Sequence, residues 1–139
     1  MHRVTFDTNV FISGLISSRG APARLLALAV DSAFALQISD AILDETAEVL
    51  VRDFNWTLER ADQTRAFLLS ISQHVTPHVE LDVIHRDRDD DRILECALAS
   101  RSDYIVTNDR DLLDVKCHAG ADIITPIDFV ALMQPCSPD

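Results

Sequence analysis

The chain alternates short apolar runs with longer segments in which apolar residues recur every three or four positions. Val4-Thr-Phe6 after Arg3 reads as a buried strand ending in Asp7, and Val10-Phe-Ile-Ser-Gly-Leu-Ile16 turns into a helix directly behind it. Pro22 suits the first turn of a second helix through Leu25, Leu26, Leu28, Ala29 and Val30, and Phe34-Ala-Leu-Gln-Ile38 predicts a second strand. Ser39 is positioned to cap the next helix, whose Ile42, Leu43, Thr46, Ala47, Val49 and Leu50 share one arc at about 100° per residue. Asp44 and Glu48 lie opposite. Glu45 falls at the edge of the arc, where the core can hold its stem while the carboxylate points into a cleft.

The second half continues the alternation. Leu58, Ala61, Leu68, Leu69 and Ile71 predict an amphipathic helix between Thr57 and His74, and His74-Val-Thr-Pro-His78 a strand or extended link. The polar stretch from Glu80 to Asp91 reads as a loop feeding a helix whose inner face is Ile93, Leu94, Ala97 and Leu98. Tyr104-Ile-Val-Thr107 predicts a strand with Asn108-Asp-Arg-Asp111 as its exit loop, and Asp122-Ile-Ile-Thr125 a final strand. Thr125-Pro-Ile-Asp128 has the form of a capping box with Pro at the first helical position, launching a helix through Phe129, Val130, Leu132 and Met133. Strands alternating with helices predict an α/β fold with a parallel sheet covered on both faces. Residues 1–134 are expected to form one domain and 135–139 a flexible tail.

Composition sharpens this picture. A length of 139 residues suits one self-sufficient core, and 47% hydrophobic with 25% charged residues excludes a disordered or low-complexity chain. Twelve basic residues against 23 acidic ones give a net charge of -11, which on its own argues against a polyanionic partner. Lys116 is the sole lysine, so chemistry needing two is excluded. Cys96, Cys117 and Cys136 are odd in number and lack metal-type CxxC spacing, which suits a reduced compartment and small core or tail roles. The N-terminus lacks a signal-type apolar region and no apolar run reaches membrane length, so a cytoplasmic protein with no membrane partner is expected.

The candidate chemistry lies in the acids. Parallel sheets bind ligands at the carboxyl ends of their strands, and two predicted strands end there in Asp7 and Asp109, while Asp91 enters at a helix start. With Glu45, one edge gathers four carboxylates, and Asn9, Thr107 and Asp111 are polar neighbours. Such acids in a partly desolvated cleft repel unless cations neutralise them. Hard carboxylate donors suit Mg²⁺ or Mn²⁺, one or two ions, and the lack of nearby Cys or paired His argues against structural zinc. Such ions can bind a phosphate oxygen, activate water and stabilise a leaving oxygen. A bound cation also inverts local electrostatics, which removes the objection raised by net charge.

Phe6-Asp7-Thr-Asn9-Val-Phe11, then Ser39 to Leu50 with Glu45, then Asp89-Asp-Asp91-Arg-Ile-Leu94 with Ala97, then Ile105-Val-Thr-Asn-Asp109-Arg-Asp-Leu-Leu113 together resemble a PIN domain. The match runs in order across nearly the whole chain and is most similar to VapC-like toxin components of prokaryotic toxin-antitoxin pairs. The resemblance implies a three-layer α/β/α fold on a four- or five-stranded parallel sheet. It also implies a metal-dependent endoribonuclease, with RNA as substrate, an antitoxin as partner, and a homodimer.

By motif position, the resemblance makes Asp7, Glu45, Asp91 and Asp109 the catalytic metal site. Asn9 and Thr107 become supports that orient a carboxylate or a water, and Asp111 an additional one. Among Asp87, Asp89, Asp90 and Asp91, spacing to Ile93 and Ala97 favours Asp91. Many relatives carry Gly before the last acid, where this chain has Asn108, a residue that also tolerates unusual backbone angles.

Arg86, Arg88, Arg92 and Arg110 flank these acids, and stand equally to contact RNA phosphates or to balance neighbouring aspartates. The histidines share no ligand spacing, and Trp56 is expected to pack at a helix start rather than stack a base. An aspartyl-nucleophile phosphatase would want a second acid two residues after Asp7, where Asn9 stands; a receiver-type domain would want an acidic pair there. An inactive PIN-like scaffold is disfavoured by the presence of all four acids.

Overall fold

The computed structural model describes residues 1–78 and 88–134, with the side chains of residues 88–90 outside that description. Strand β1 (Arg3–Phe6) is followed by α1 (Thr8–Ile16), α2 (Ala21–Val30), β2 (Ala35–Ile38), α3 (Asp40–Phe54) and α4 (Leu58–Ser70). Next come β3 (Ser72–His74), α5 (Arg88–Ser100), β4 (Tyr104–Val106), α6 (Arg110–Leu113), β5 (Cys117–His118), β6 (Ala121–Ile124) and α7 (Pro126–Met133). They form one sheet in the order β3-β2-β1-β4-β6-β5, helices packing on it. Five strands are parallel, as the alternation predicts, and the two-residue β5 adds an antiparallel edge to β6. No helix of the described residues is long and apolar enough to cross a membrane.

The helix starts follow local chemistry. Ser39, Thr57 and Thr125 each accept a backbone N–H from the first turn of the helix they precede, satisfying donors that a helix cannot satisfy internally. Asn55 ends α3 in a left-handed conformation at φ 59°. Trp56 lies in the turn before α4, with the Arg60 guanidinium 3.7 Å from its ring centroid.

Two expectations shift. The 74–78 stretch, expected as a strand or extended link, is a link after His74, and the strand lies earlier, at Ser72–His74, because β3 is an edge strand whose partner is β2: Gln37 pairs with Gln73, and its side-chain amide donates to Gln73 at 2.8 Å. A polar edge strand leaves no apolar signal. Strand β5 was not foreseen; it is joined to β6 through Ala119 and Gly120, both at positive φ, a tight turn made without the usual Asn-Gly pair. The stretch 79–87 and the tail 135–139 lie outside the described residues.

The core joins both helical layers to the sheet. Phe6 meets Phe11 and Phe34 at ring-centroid distances of 5.3 and 5.8 Å, and Phe34 meets Phe129 edge-on at 5.2 Å, so α1 and α7 are anchored through one aromatic chain. At Gly14, an added Cβ would stand 2.6 Å from Leu26 Cδ1 and 2.9 Å from the Pro22 carbonyl oxygen, so α1 and α2 approach through the missing side chain. Cys96 is buried, and burial pushes its thiol up to about 11, against weaker opposing hydrogen bonds from Thr5 and Ser39.

Two outcomes follow. Phe129→Ala should lower unfolding free energy in urea by about 3–5 kcal/mol, the range for truncating a fully buried aromatic ring. Because Cys96 keeps its proton in the folded chain past the ordinary thiol range near 9, the unfolded chain ionises first. Stability should therefore fall as pH rises from about 9 toward 11, and Cys96→Ala should flatten that slope in pH-dependent urea titrations.

Candidate active site at the carboxyl edge of the sheet

The connection after β1 leads to β2 on one side, whereas the connection after β4 leads to β6 on the other. The sheet therefore changes direction between β1 and β4, and crevices at such points are where open parallel sheets receive ligands. Asp7 leaves β1 and Thr107 leaves β4 at this crevice.

Asp7 is held at several points. Its backbone N–H donates to the Val106 carbonyl at 2.9 Å, which continues the β1–β4 pairing by one residue. Its carboxylate caps α1, with Oδ1 accepting the Asn9 N–H at 3.4 Å, and Oδ2 accepts the Thr107 hydroxyl at 2.7 Å. Thr107 is wholly buried, and its Oγ1 also accepts the Asp109 N–H at 2.9 Å. The Asp109 carboxylate caps α6 by accepting the Asp111 N–H at 2.8 Å. One continuous relay thus orders Asp111, Asp109, Thr107 and Asp7, and Thr107 links the two acids.

The other acids arrive on helices. Glu45, half-buried on α3, accepts the Thr8 hydroxyl at 3.2 Å, so the residue after Asp7 orients an acid 37 positions away. Asp91 lies in the first turn of α5, a helix packed on β1, and is only 1% exposed. Asn9 is exposed; the backbone N–H, rather than the side chain, is what it gives to Asp7. Arg92 pairs with Glu95 at 2.7 Å, and Arg110 is exposed at the start of α6. Arg86 and Asp87 lie outside the described residues, as do the side chains of Arg88, Asp89 and Asp90.

Two participants were missed from the sequence. Thr8 stands between two motif residues, and only its hydroxyl chemistry could have marked it. Glu95 lies four residues after Asp91 on the same helical face and is 7% exposed, a burial that a helix glutamate does not announce.

The donor set is carboxylate oxygen supported by hydroxyls and backbone amides, which suits a hard divalent cation and not a soft one. Two of the acids, Asp7 and Asp91, are almost wholly withdrawn from water. Among the described residues, no three His, Cys, Asp or Glu side chains converge closely enough to hold a metal as they stand. Thr107 ties Asp7 and Asp109 to one crevice, and Thr8 ties Glu45 to the residue beside Asp7.

A model of the PIN domain family matches residues 3–111, from the first residue of β1 to the end of the relay at Asp111. The chain belongs to the PIN domain family. Over 118 residues it is also 30% identical to the uncharacterized protein MJ1680 of Methanocaldococcus jannaschii, covering 82% of this chain and 75% of that one. PIN domains are as a class nucleases, and their nucleases typically use divalent metals.

The relay makes Thr107 the residue to test first. Thr107→Val keeps the shape but removes the hydroxyl from both Asp7 and the Asp109 N–H, and should cost about 1–3 kcal/mol in urea unfolding. Thr107→Ser should recover most of that loss.

Proposed function

We propose that this chain is a metal-dependent endoribonuclease that hydrolyses RNA phosphodiester bonds and serves as the VapC-like toxin of a toxin-antitoxin pair. The observation that carries the reading is the hydrogen bond of Thr107 to Asp7 across the β1–β4 crevice, with Asp109 tied to the same hydroxyl. Asp7, Asp91, Asp109 and Glu45 are the residues that would hold Mg²⁺ or Mn²⁺, one or two ions, which would supply charge at the phosphate and lower the pKa of an attacking water.

The chain's own residues supply orientation. The Thr107 hydroxyl fixes the rotamer of Asp7, and Thr8 does the same for Glu45. Asp111 braces the loop that carries Asp109 through its N–H. Arg110, exposed on that loop, is available to an RNA phosphate. The excess of acids keeps non-specific RNA affinity low, so productive binding depends on cations at the crevice. An antitoxin offering a basic side chain to this crevice would silence it; a homodimer and a cytoplasmic location complete the reading.

Purified protein should cut RNA with Mg²⁺ or Mn²⁺ and stop in EDTA, and Asp7→Asn should abolish cutting. Thr107→Val should reduce it by about 10–100-fold. Metal-independent cleavage, or a fully active Asp7→Asn protein, would sink the mechanism. Relief of acid repulsion should also raise stability: at 100 times the dissociation constant, metal should add about 2.7 kcal/mol. Thermal melting of wild type beside Asp7→Asn reads this directly, with the variant showing a smaller shift.

A further inference from the structure

A groove opens beside the acids on the β2 and β3 side of the sheet. The first turn of α3, with Ser39 and Ala41, forms one wall; Val75 and Pro77, beyond β3, form another; and α5 contributes Arg92 and Glu95. This pocket has a volume of about 190 Å³. A second, of about 340 Å³, shares Val75, Thr76 and Glu95 with it and continues toward Leu98. The larger alone reaches the lower end of the range for small-ligand sites, roughly 300–1,000 Å³.

Two connections tie the groove to the crevice. The register pairs Thr5 with Gln37, so two residues further along each strand Asp7 and Ser39 leave the same edge on neighbouring strands. On α5, Arg92 directly follows the buried Asp91.

The cation in the groove is held in an unusual way. Arg92 Nη2 donates to Glu95 Oε2 at 2.7 Å, with the Glu95 side chain 8% exposed and that of Arg92 25% exposed. An exposed ion pair of flexible side chains would orient nothing. Here the acid is sunk between elements and the arginine extends from it to the groove, so Glu95 fixes the direction of the guanidinium. With five N–H donors in a planar fork, a guanidinium can hold a carboxylate and a phosphate oxygen together. Ala41, Val75 and Pro77 give the remaining wall an apolar surface that suits a ribose or the face of an unpaired base, beside the Ser39 and Thr76 hydroxyls and Asp40, whose carboxylate is engaged by His74 Nε2 at 2.8 Å.

We propose that this groove is the subsite for the nucleotide next to the scissile phosphate in an unpaired RNA strand. Arg92 takes the flanking phosphate, Glu95 is the positioning residue that aims it, and the Val75–Pro77 wall receives the sugar or base. The proposal rests on the ribonuclease reading for which phosphate is cut, but the binding it describes can be measured without cutting.

The intact protein is tested in two ways. Fluorescence anisotropy of a labelled, phosphorothioate-linked single-stranded RNA heptamer, which resists cutting, is read with Mg²⁺ on the otherwise unaltered chain with and without Arg92→Gln, across a salt series. Steady-state cleavage is read for Arg92→Gln, Arg92→Lys and Glu95→Gln in an otherwise unaltered chain. Arg92→Gln should raise Kd and KM about tenfold or more, as for a lost charge-assisted contact, with kcat within about threefold. Its log Kd against log salt slope should flatten by about 0.7, the value for one phosphate on a single strand. Arg92→Lys should rescue part of the loss, and Glu95→Gln should raise KM by a smaller factor.

Ala41→Phe fills the groove from the exposed first turn of α3 without touching the ion pair, and should raise Kd as well; it serves if Arg92→Gln fails to fold. Unchanged Kd and salt slope in Arg92→Gln, or in Ala41→Phe where only that variant folds, would overturn the subsite even if the wild type cuts RNA. So would loss of kcat at constant KM, or an absence of heptamer binding. Arg92-dependent binding by a protein that cuts no RNA would uphold the subsite and reject the nuclease reading.

Discussion

The Thr107 hydroxyl holds the two halves of the site together. It donates to Asp7 at the end of β1 and accepts from the Asp109 backbone at the exit of β4, across the crevice where the sheet changes direction. A hydroxyl with one donor and two acceptor lone pairs can do both at once, which valine, of the same shape, cannot. Because Asp7 also caps α1, Asp109 caps α6, and Thr8 in α1 orients Glu45, two helices and three acids take their positions from this one contact.

A second polar seam sets the depth of α5. Thr5, two residues before Asp7, shares a hydrogen bond with Ser102 at 2.8 Å, which is linked in turn to Ser100 at 2.7 Å, and the Thr5 hydroxyl reaches the Cys96 sulfur at 3.9 Å. These buried groups satisfy one another where the helix meets the central strand, and a helix fixed at Cys96 and Ser100 has its first turns, with Asp91 and Arg92, fixed as well.

Much of this was legible in the sequence because it depends on local rules. Apolar runs marked β1, β2, β4 and β6; Ser39, Thr57, Asp109 and Thr125 stand where helix starts need acceptors; and the acids at strand ends followed from the behaviour of parallel sheets. What was not legible depends on neighbours far away in the chain. Ser72-Gln73-His74 is a strand only because β2 offers an open edge, and Cys117–His118 only because a turn at Ala119 and Gly120 folds it onto β6. Glu95 reads as a solvent-facing helix residue until the start of α3 and the Val75–Pro77 stretch stand beside it. Asn9, singled out for its side chain, acts on Asp7 through its backbone, a distinction that composition cannot make.

The order of the strands has a consequence for synthesis. Asp7 leaves the ribosome well before its hydroxyl partner, which lies 100 residues downstream, and the strand that completes its crevice is β4. A nascent chain can pair β1 with β2 and pack α1 to α4 while Asp7 still faces water where β4 will lie. Long-range parallel pairing is slow to form, so the crevice closes as a late event, once translation has passed Thr107. Whatever chemistry the acids perform must wait for the segment that carries Thr107 and Asp109.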